Sequence, residues 1–239
     1  MVSWSFNTKH DNDYKWALVI DLDRCNGCGA CTVSCQAENN VAVVGEELAL
    51  QKRVMSWLRI ERYFEGEWPN IRTVFLPMMC QQCENAPCEP VCPVFATYHN
   101  PEGLNAMIYN RCIGTRFCGN NCPYSVRKFN WFDYGFESPL NEQLNPDVSV
   151  RDAGVMEKCS FCMQRIRRGK DRAKDEGRKV QDGDIMPACG QTCPTNAITF
   201  GNMHDPESEV AKLIETKRRH RLLEEHGTHP SVYYLKGGA

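Results

Sequence analysis

The sequence lacks long hydrophobic runs. Its 239 residues have a mean hydropathy of −0.50, and no apolar stretch approaches the roughly 18 residues that a membrane-spanning helix needs. We therefore predict no transmembrane segment in this chain. Met1 to Asp13 also lacks the basic start, apolar core and small-residue cleavage site of a signal peptide. Taken alone, this favours the cytoplasm, but a chain exported together with a signal-bearing partner would have the same features.

An excess of charge of either sign is also missing. The 28 lysines and arginines and the 30 aspartates and glutamates leave a net charge of −2, so we predict no nucleic acid or other polyanion as a partner. No nucleophile, paired-carboxylate or phosphate-loop arrangement stands out either. We therefore assign no substrate-converting site and no catalytic residue to this chain.

Cysteine, in contrast, is abundant, and its fifteen residues fall into four groups with none outside them. The groups are Cys25, Cys28, Cys31 and Cys35; Cys80, Cys83, Cys88 and Cys92; Cys112, Cys118 and Cys122; and Cys159, Cys162, Cys189 and Cys193. The first group has the spacing C-x2-C-x2-C-x3-C, which is the run that holds iron–sulfur clusters in bacterial ferredoxins. The third group would have the same spacing if Thr115 were a cysteine.

These spacings predict four iron–sulfur clusters in two pairs. Two-residue gaps let a tight turn bring three thiolates onto one cluster, and the fourth cysteine of a ferredoxin run ligates the other cluster of its pair. The second and third groups are neighbours and pair with each other, which leaves the first and fourth groups to pair across the chain. Prolines follow Cys92, Cys122 and Cys193 and should turn the chain away from each cluster.

Two other interpretations of the cysteines remain open. Paired C-x2-C motifs also form structural zinc sites of four thiolates, although zinc sites rarely have three cysteines at two-residue gaps. A disulfide framework is the second alternative, but it fits poorly with an odd number of cysteines.

The predicted fold class is α+β, with two interleaved bacterial-ferredoxin-like modules of the two-cluster type, connecting loops and a C-terminal helical tail. The outer module comprises residues 15–65 and 150–203, and the inserted module comprises residues 66–137. Residues 138–149 are predicted as a connecting loop, and residues 204–239 as a C-terminal helix and tail that contacts a partner. Residue patterning predicts strands at 15–22, 57–64, 71–76, 104–109 and 197–200, and helices at 33–40 and 207–226.

Two segments each allow two interpretations. The basic stretch 165–179 fits a solvated helix face followed by a loop, or a docking surface for a partner subunit. The stretch 229–235 (HPSVYYL) is too apolar for a free tail. We expect it to pack on a partner chain or to fold back on the core of its own chain.

The four-group pattern, with its split fourth group, resembles the iron–sulfur subunits of the complex iron–sulfur molybdoenzyme family, which includes subunits of dimethyl sulfoxide, polysulfide and nitrate reductases. The likeness covers about residues 15–203. The stretch 111–132 (RCIGTRFCGNNCPYSVRKFNWF) is most similar to the iron–sulfur component of alternative complex III and of the periplasmic quinone reductase complex of sulfate reducers. The resemblance implies three partners: a molybdopterin-oxidoreductase-like subunit, a multihaem cytochrome c and a polytopic quinone-binding membrane subunit.

The resemblance also implies crossed ligand sets, which we name sets A to D. Set A is Cys25, Cys28, Cys31 and Cys193; set B is Cys35, Cys159, Cys162 and Cys189; set C is Cys80, Cys83, Cys88 and Cys122; and set D is Cys92, Cys112 and Cys118. Sets A, B and C would each hold a [4Fe–4S] cluster.

Set D has only three thiolates, with Thr115 at the position of the missing one. A threonine hydroxyl stays protonated at neutral pH and is a poor ligand for a site that selects soft thiolates. The iron at that corner should therefore be absent, which gives one [3Fe–4S] cluster beside three [4Fe–4S] clusters. The alternative is that water or hydroxide replaces the thiolate and a four-iron cluster persists.

We therefore expect an electron-transfer subunit of a membrane-associated respiratory oxidoreductase. By the resemblance, it connects the cytochrome c or molybdopterin-type subunit with the quinone site at the periplasmic face of the inner membrane, reached by co-export. The cytoplasmic face is the alternative location. Menaquinone reduction is favoured because the chain begins at Met1, whereas the alternative complex III component is often fused to its molybdopterin-like partner. The alternative functions are quinol oxidation as in alternative complex III, a polysulfide or dimethyl sulfoxide-type reductase subunit, and a soluble polyferredoxin.

Overall fold

The computed structural model describes residues 13–237. The signal-peptide prediction therefore lies, apart from Asp13, outside the described residues, as do positions 238 and 239 of the predicted tail. The helices are α1 (Ala30–Glu38), α2 (Gly45–Leu50), α3 (Phe117–Asn120), α4 (Met163–Asp175), α5 (Ala188–Gln191) and α6 (Glu209–Ile214). The strands are β1 (Trp16–Asp21), β2 (Arg59–Glu65), β3 (Arg72–Met78), β4 (Thr97–His99), β5 (Asn105–Met107), β6 (Lys128–Phe129), β7 (Met156–Glu157), β8 (Ile198–Asn202), β9 (Arg219–His220) and β10 (Val232–Leu235).

The largest sheet has four strands in the order β8-β1-β10-β9. Strand β1 runs antiparallel to β8 and parallel to β10, so that Leu18 lies between Phe200 and Val232. The side chains of β1 are buried on both faces: one face joins the main core, and the other packs with Val210 of α6. This explains why β1 (WALVID) is a continuous apolar run rather than an alternating one.

Three two-stranded ladders complete the sheet structure of the described residues: β2–β3, β4–β5 and β6–β7. The β2–β3 hairpin pairs every position from Arg59 with Met78 to Glu65 with Arg72. The proposed module boundary at 65/66 therefore falls in the turn of one paired hairpin. The β4–β5 hairpin lies between the second and third cysteine groups and contributes Asn105 to the neighbourhood of Cys88.

Most of the predicted strands and one predicted helix are confirmed. Four of the predicted strands are found with their ends displaced by one or two residues, as β1, β2, β3 and β8. The strand predicted at 104–109 is limited to β5, because the chain turns into a 3₁₀ segment at Tyr109–Arg111. The helix predicted at 33–40 exists as α1 but begins earlier, at Ala30.

The prediction of a helix over 207–226 is wrong beyond Ile214. Helix α6 begins normally, since the Ser208 hydroxyl accepts a hydrogen bond from the Ala211 amide. It ends after six residues, and β9 then pairs with β10. Pairing at the sheet edge thus overrides the local helical spacing.

The stretch 229–235 folds back on the core of its own chain, which is one of the two interpretations of its sequence. Strand β10 is fully buried and pairs with β1. The Tyr234 hydroxyl donates a hydrogen bond to the Pro77 carbonyl at 2.9 Å and accepts one from the Gln81 amide at 3.2 Å. These contacts tie the end of the described chain to β3 and to the second cysteine group.

The basic stretch forms helix α4 and the loop after it. One face of α4, which includes Ile166, Gly169 and Ala173, is buried. Arg165 pairs with Glu38 at 2.7 Å. Lys170 pairs with Glu102 and Arg168 with Asp147, so several of its charges are paired within the chain. No helix among residues 13–237 is long and apolar enough to span a membrane.

Candidate metal centres

None of the fifteen cysteines forms a disulfide, and most of them lie in the main hydrophobic core or against it. Outside that core cluster are Cys25, Cys28, Cys92 and Cys162, of which Cys162 is itself buried and Cys28 is exposed. The core therefore contains cysteines from four distant parts of the chain.

In set A, a cysteine of the fourth group lies beside the first group. Burial raises the pKa of the Cys25 thiol, and the nearby Cys193 and Cys28 raise it further. Burial, Cys25 and then Cys193 and Cys28 raise the pKa of Cys31 to about 11. The four side chains border one partly open cavity of about 320 Å³.

In set B, a cysteine of the first group lies among three of the fourth. Burial raises the pKa of the Cys35 thiol well above its usual value, and Cys159, Cys162 and Cys189 add to this effect. The buried Asn39 amide lies 3.7 Å from the Sγ atoms of both Cys35 and Cys162. One asparagine thus contacts both sequence groups that contribute to the set.

In set C, Cys122 of the third group lies with the second group. Burial raises the pKa of the Cys83 thiol, and the charges of Cys80, Cys88 and Cys122 raise it further. Burial raises the pKa of Cys88 to about 11, although nearby cations oppose the shift.

In set D, Cys92 of the second group lies near two cysteines of the third. Burial raises the pKa of the Cys118 thiol, and Cys112 and Cys92 also raise it. These three cysteines line a partly open cavity of about 300 Å³ together with Thr115. The structure therefore brings the hydroxyl-bearing residue to the same cavity as the three thiols.

The sets follow one another in a row. Cys31 of set A acts on Cys189 of set B, and Cys80 of set C acts on Cys159 of set B. Arg127 then lies between sets C and D, since its charge interacts with cysteines of both. These interactions make sets A and B, sets B and C, and sets C and D neighbours.

Two glycines allow the cysteine loops to take their shapes. Gly27, between Cys25 and Cys28, has a φ of +71°, and an added Cβ would lie 2.4 Å from the Phe75 ring. Gly114, directly before Thr115, has a φ of +72°, and its Cβ would lie 2.3 Å from a backbone oxygen. A larger residue at either position would be strained and would also clash.

The three Cys-Pro sequences form one repeated turn. The residue three positions after the cysteine donates its amide to the cysteine carbonyl at 3.2–3.3 Å and has a positive φ. The three turns end at Phe95, Ser125 and Asn196. After Cys35, which lacks the proline, the chain instead continues as helix α1 to Glu38. Helices α3 and α5 end two residues before Cys122 and Cys193, and no helix leads into Cys92, so each proline belongs to the turn and keeps the chain from continuing as a helix.

Backbone amides donate hydrogen bonds to several of the sulfur atoms. The Ala96 amide lies 3.2 Å from Cys92 Sγ, and the Ala197 amide lies 3.3 Å from Cys193 Sγ. For Cys193, burial acts to raise the pKa, but the hydrogen bonds from Ala197 and Thr195 outweigh it and the pKa is lowered. Such donors to cluster sulfur are one of the factors that set reduction potentials.

The raised thiol pKa values indicate that these sites need bound metal to hold their cysteines as thiolates. In the absence of a cation, crowding and burial favour protonated thiols, because each thiolate repels its neighbours and loses solvation. Bound metal reverses this preference and releases the protons. Within residues 13–237, no group of three or more histidine, cysteine or acidic side chains has a geometry that could hold a single metal ion. A cluster differs from an ion because each thiolate binds a different iron atom, so its ligands surround a space rather than a point.

Sequence reasoning missed three polar residues beside the thiols. They are Asn39, Arg127 and Lys158, which are 2%, 6% and 1% exposed. Asn39 follows Cys35 by one helical turn, a signal that the sequence contains. Lys158 directly precedes Cys159, whereas Arg127 lies five residues after Cys122 and has no such signal.

Models of two known domain families match the chain. A 4Fe-4S dicluster domain matches residues 71–137, and a 4Fe-4S binding domain matches residues 16–37. These matches cover all of the second and third groups and the whole of the first. They favour iron–sulfur clusters over structural zinc.

Curated relatives cover nearly the whole chain. The chain is 46% identical over 226 residues to the menaquinone reductase iron-sulfur cluster-binding subunit of Nitratidesulfovibrio vulgaris strain Hildenborough, covering 92% of this chain and 88% of that protein. It is 37% identical to a putative iron-sulfur subunit of a dimethyl sulfoxide reductase from Halobacterium salinarum, covering 93% and 79% respectively. It is also 34% identical to the Hdr-like menaquinol oxidoreductase iron-sulfur subunit 1 of Archaeoglobus fulgidus, covering 94% and 84%.

Proposed function

We propose that this chain, which belongs to the family of iron–sulfur subunits of molybdoenzyme-type reductases, carries electrons through a row of four iron–sulfur centres in a respiratory oxidoreductase complex. The observation that carries this proposal is the order of the four cysteine sets, A to D. Near one end Cys28 is exposed and near the other Ile113 and Phe117 are exposed, while most thiols of sets B and C are buried. When bound, the clusters supply the one-electron redox chemistry.

The chain's own part in this function is to bind, space and insulate the centres. Because electron tunnelling falls off exponentially with distance, neighbouring centres must be close, and the electrostatic interactions of Cys31 with Cys189 and of Cys80 with Cys159 support this. Burial of the middle sets excludes water, and the backbone amides that donate to sulfur in sets A, B and D adjust the potentials of those centres.

We assign the ligands as sets A to D. The donor chemistry fits, because sets A, B and C each bring together four thiols, and soft thiolates are the ligands that iron–sulfur clusters select. Set D brings three thiols and Thr115 around one cavity, which supports a [3Fe–4S] cluster there. The chain would then hold three [4Fe–4S] clusters and one [3Fe–4S] cluster.

We also propose that the two ferredoxin-like modules are interleaved, with residues 66–137 inserted between residues 15–65 and 150–203. The antiparallel pairing of β1 with β8 supports this, because the two strands come from the two parts of the outer module. The proximity of Cys193 to the first group supports it equally.

Set D is the end that we assign to the quinone-binding membrane subunit. Ile113 and Phe117 flank Thr115 and are 65% and 58% exposed, and apolar residues are enriched at sites that meet a partner. Set A then faces the molybdopterin-oxidoreductase-like subunit or a multihaem cytochrome c. The support for these particular partners is the resemblance of residues 111–132 to the quinone reductase type.

Menaquinone reduction is the favoured direction, and the similarity to a menaquinone reductase subunit supports it. We expect the native complex, reduced with dithionite under argon, to regain its brown absorption when a water-soluble menaquinone analogue is added. The iron–sulfur subunit separated from its membrane partner is the control and should react much more slowly. Equal rates in the two samples would contradict a dedicated quinone site. Quinol oxidation, the alternative, predicts instead that a menaquinol analogue bleaches the oxidised complex.

We further propose that the complex lies at the periplasmic face of the inner membrane, reached by export with a signal-bearing partner. Protease added to intact spheroplasts should then digest the subunit, as followed by immunoblot. A cytoplasmic marker protein must remain intact in the same sample. Complete protection of the subunit until lysis would place it on the cytoplasmic face.

A further inference from the structure

We propose that the buried cations Arg127 and Lys158 raise the reduction potential of the centre held by set C, and that each does the same for the other set beside it, Arg127 for set D and Lys158 for set B. This inference rests on the ligand sets of the proposed function. It assigns a role to two residues that are not ligands and that lie at the two junctions on either side of set C.

Arg127 is a buried guanidinium with only neutral or thiol partners. Its Nη2 atom donates to Thr97 Oγ1 and to Asn105 Oδ1, both at 2.6 Å, and its Nη1 atom lies 3.8 Å from Met107 Sδ. Its charge also acts on the Cys118 thiol of set D. Among residues 13–237, no carboxylate forms a salt bridge with it.

Lys158 occupies the corresponding position at the junction of sets B and C. Its side chain is among the largest that are fully buried. The Nζ atom donates to the Cys159 carbonyl at 2.9 Å, and its charge acts on Cys159 of set B and on Cys88 of set C. No salt bridge to Lys158 is found in the described part of the chain.

The cation beside set B at α4 is different. Arg165 acts on Cys162, but it pairs with Glu38 at 2.7 Å, so its charge is balanced locally. Among the described residues, the two buried cations without a carboxylate partner, Arg127 and Lys158, therefore both lie beside set C.

The physical consequence is a bias toward the reduced state of that centre. Adding one electron to a cluster increases the negative charge on its sulfurs and thiolates. A buried, unpaired cation stabilises the added charge more strongly than an exposed one, because little solvent screens it. The reduced form is favoured, and the potential rises.

Arg127→Gln and Lys158→Gln in the native complex test this inference through redox titration followed by electron paramagnetic resonance. Each change should lower the potential of set C, shifting its oxidised-to-reduced equilibrium at least tenfold, which is about 59 mV for one electron. The potential of set D should fall only in Arg127→Gln, and that of set B only in Lys158→Gln. Arg127→Lys, which keeps the charge, should restore most of the wild-type value.

Arg59→Gln is the matched control. Arg59 also lies near set C, with hydrogen bonds to the Tyr124 and Ser125 carbonyls. It is partly exposed and paired with Glu61, so its removal should shift the potential of set C much less. Unchanged potentials in both buried-cation variants with full iron content would overturn the inference, and so would loss of iron from either, which would show that the cation is needed for assembly. Potentials are measured whether or not the complex reacts with quinone, so this result is independent of the quinone experiment.

Discussion

Replacing Thr115 with cysteine is expected to raise the iron content from about fifteen to about sixteen atoms per chain, because the centre of set D would gain its fourth thiolate. Thr115 lines the same cavity as the three thiols of set D. Gly114 and Arg116, on either side of it, already have the positive φ angles of the cysteine loop, so the new side chain needs no change of backbone. Iron analysis measures the first effect. The oxidised-state paramagnetic signal, which a three-iron cluster gives, should disappear from the spectrum.

The same substitution should lower the potential of the set D centre. The added thiolate brings a fourth iron with it, so the three-iron couple is replaced by a four-iron couple, and cluster type is one of the factors that spread such potentials over roughly −700 to +450 mV. Transfer between set D and quinone should slow, while the other three centres keep their potentials. Thr115→Ser is the control, because it retains a hydroxyl and should keep the signal. If Thr115→Cys also keeps it at full intensity, the missing iron has another cause.

The crossed assignment of cysteines from the second and third groups predicts that removing one cysteine disrupts one specific centre. Cys122 belongs by sequence to the third group, yet it lies near Cys80, Cys83 and Cys88, whereas Cys92 lies near Cys118. We expect Cys122→Ala to disrupt the centre of set C and to leave the oxidised-state signal of set D intact. Cys92→Ala should abolish that signal and leave set C unchanged.

The two variants control for each other, since each removes one half-buried thiol that precedes a proline. Spectra recorded from oxidised and from reduced complexes separate the two centres. The opposite result, in which Cys122→Ala removes the oxidised-state signal, would mean that each sequence group binds its own cluster. Loss of both centres in both variants would show that the inserted module assembles as one unit and would leave no support for separate sets.

Much of the framework around the centres could be predicted from the sequence, because it depends on local rules. The apolar run of β1 and the patterns of β2, β3 and β8 each predict a strand, and each strand is found. The prolines after three of the cysteines predict the turns that follow them. These features depend on a few neighbouring residues, so a pattern of residues is sufficient to locate them.

The remaining features depend on contacts that no local pattern contains. Residues 207–226 have helical spacing, but the helix ends at Ile214, and the chain then forms β9, which pairs with β10. The stretch 229–235 allowed two interpretations because an apolar strand looks the same whether it packs on its own core or on a partner. Arg127 and Lys158 are typical surface residues by sequence. They are buried because cysteines from distant groups surround them.

Strand β1 lies between β8 and β10, and this arrangement has a consequence for how the protein is made. Strand β10, which pairs Val232 with Leu18 of β1, is synthesised about 200 residues after β1. At a translation rate of about 5–20 residues per second, roughly 10 to 40 s pass between synthesis of the first cysteine group and synthesis of Cys193 and of the strand that completes the sheet. Until then the thiols of that group are unprotected. Sets A and B therefore cannot be completed until Cys193 has been made, and a nascent chain that stops before it would expose reduced cysteines to oxidation.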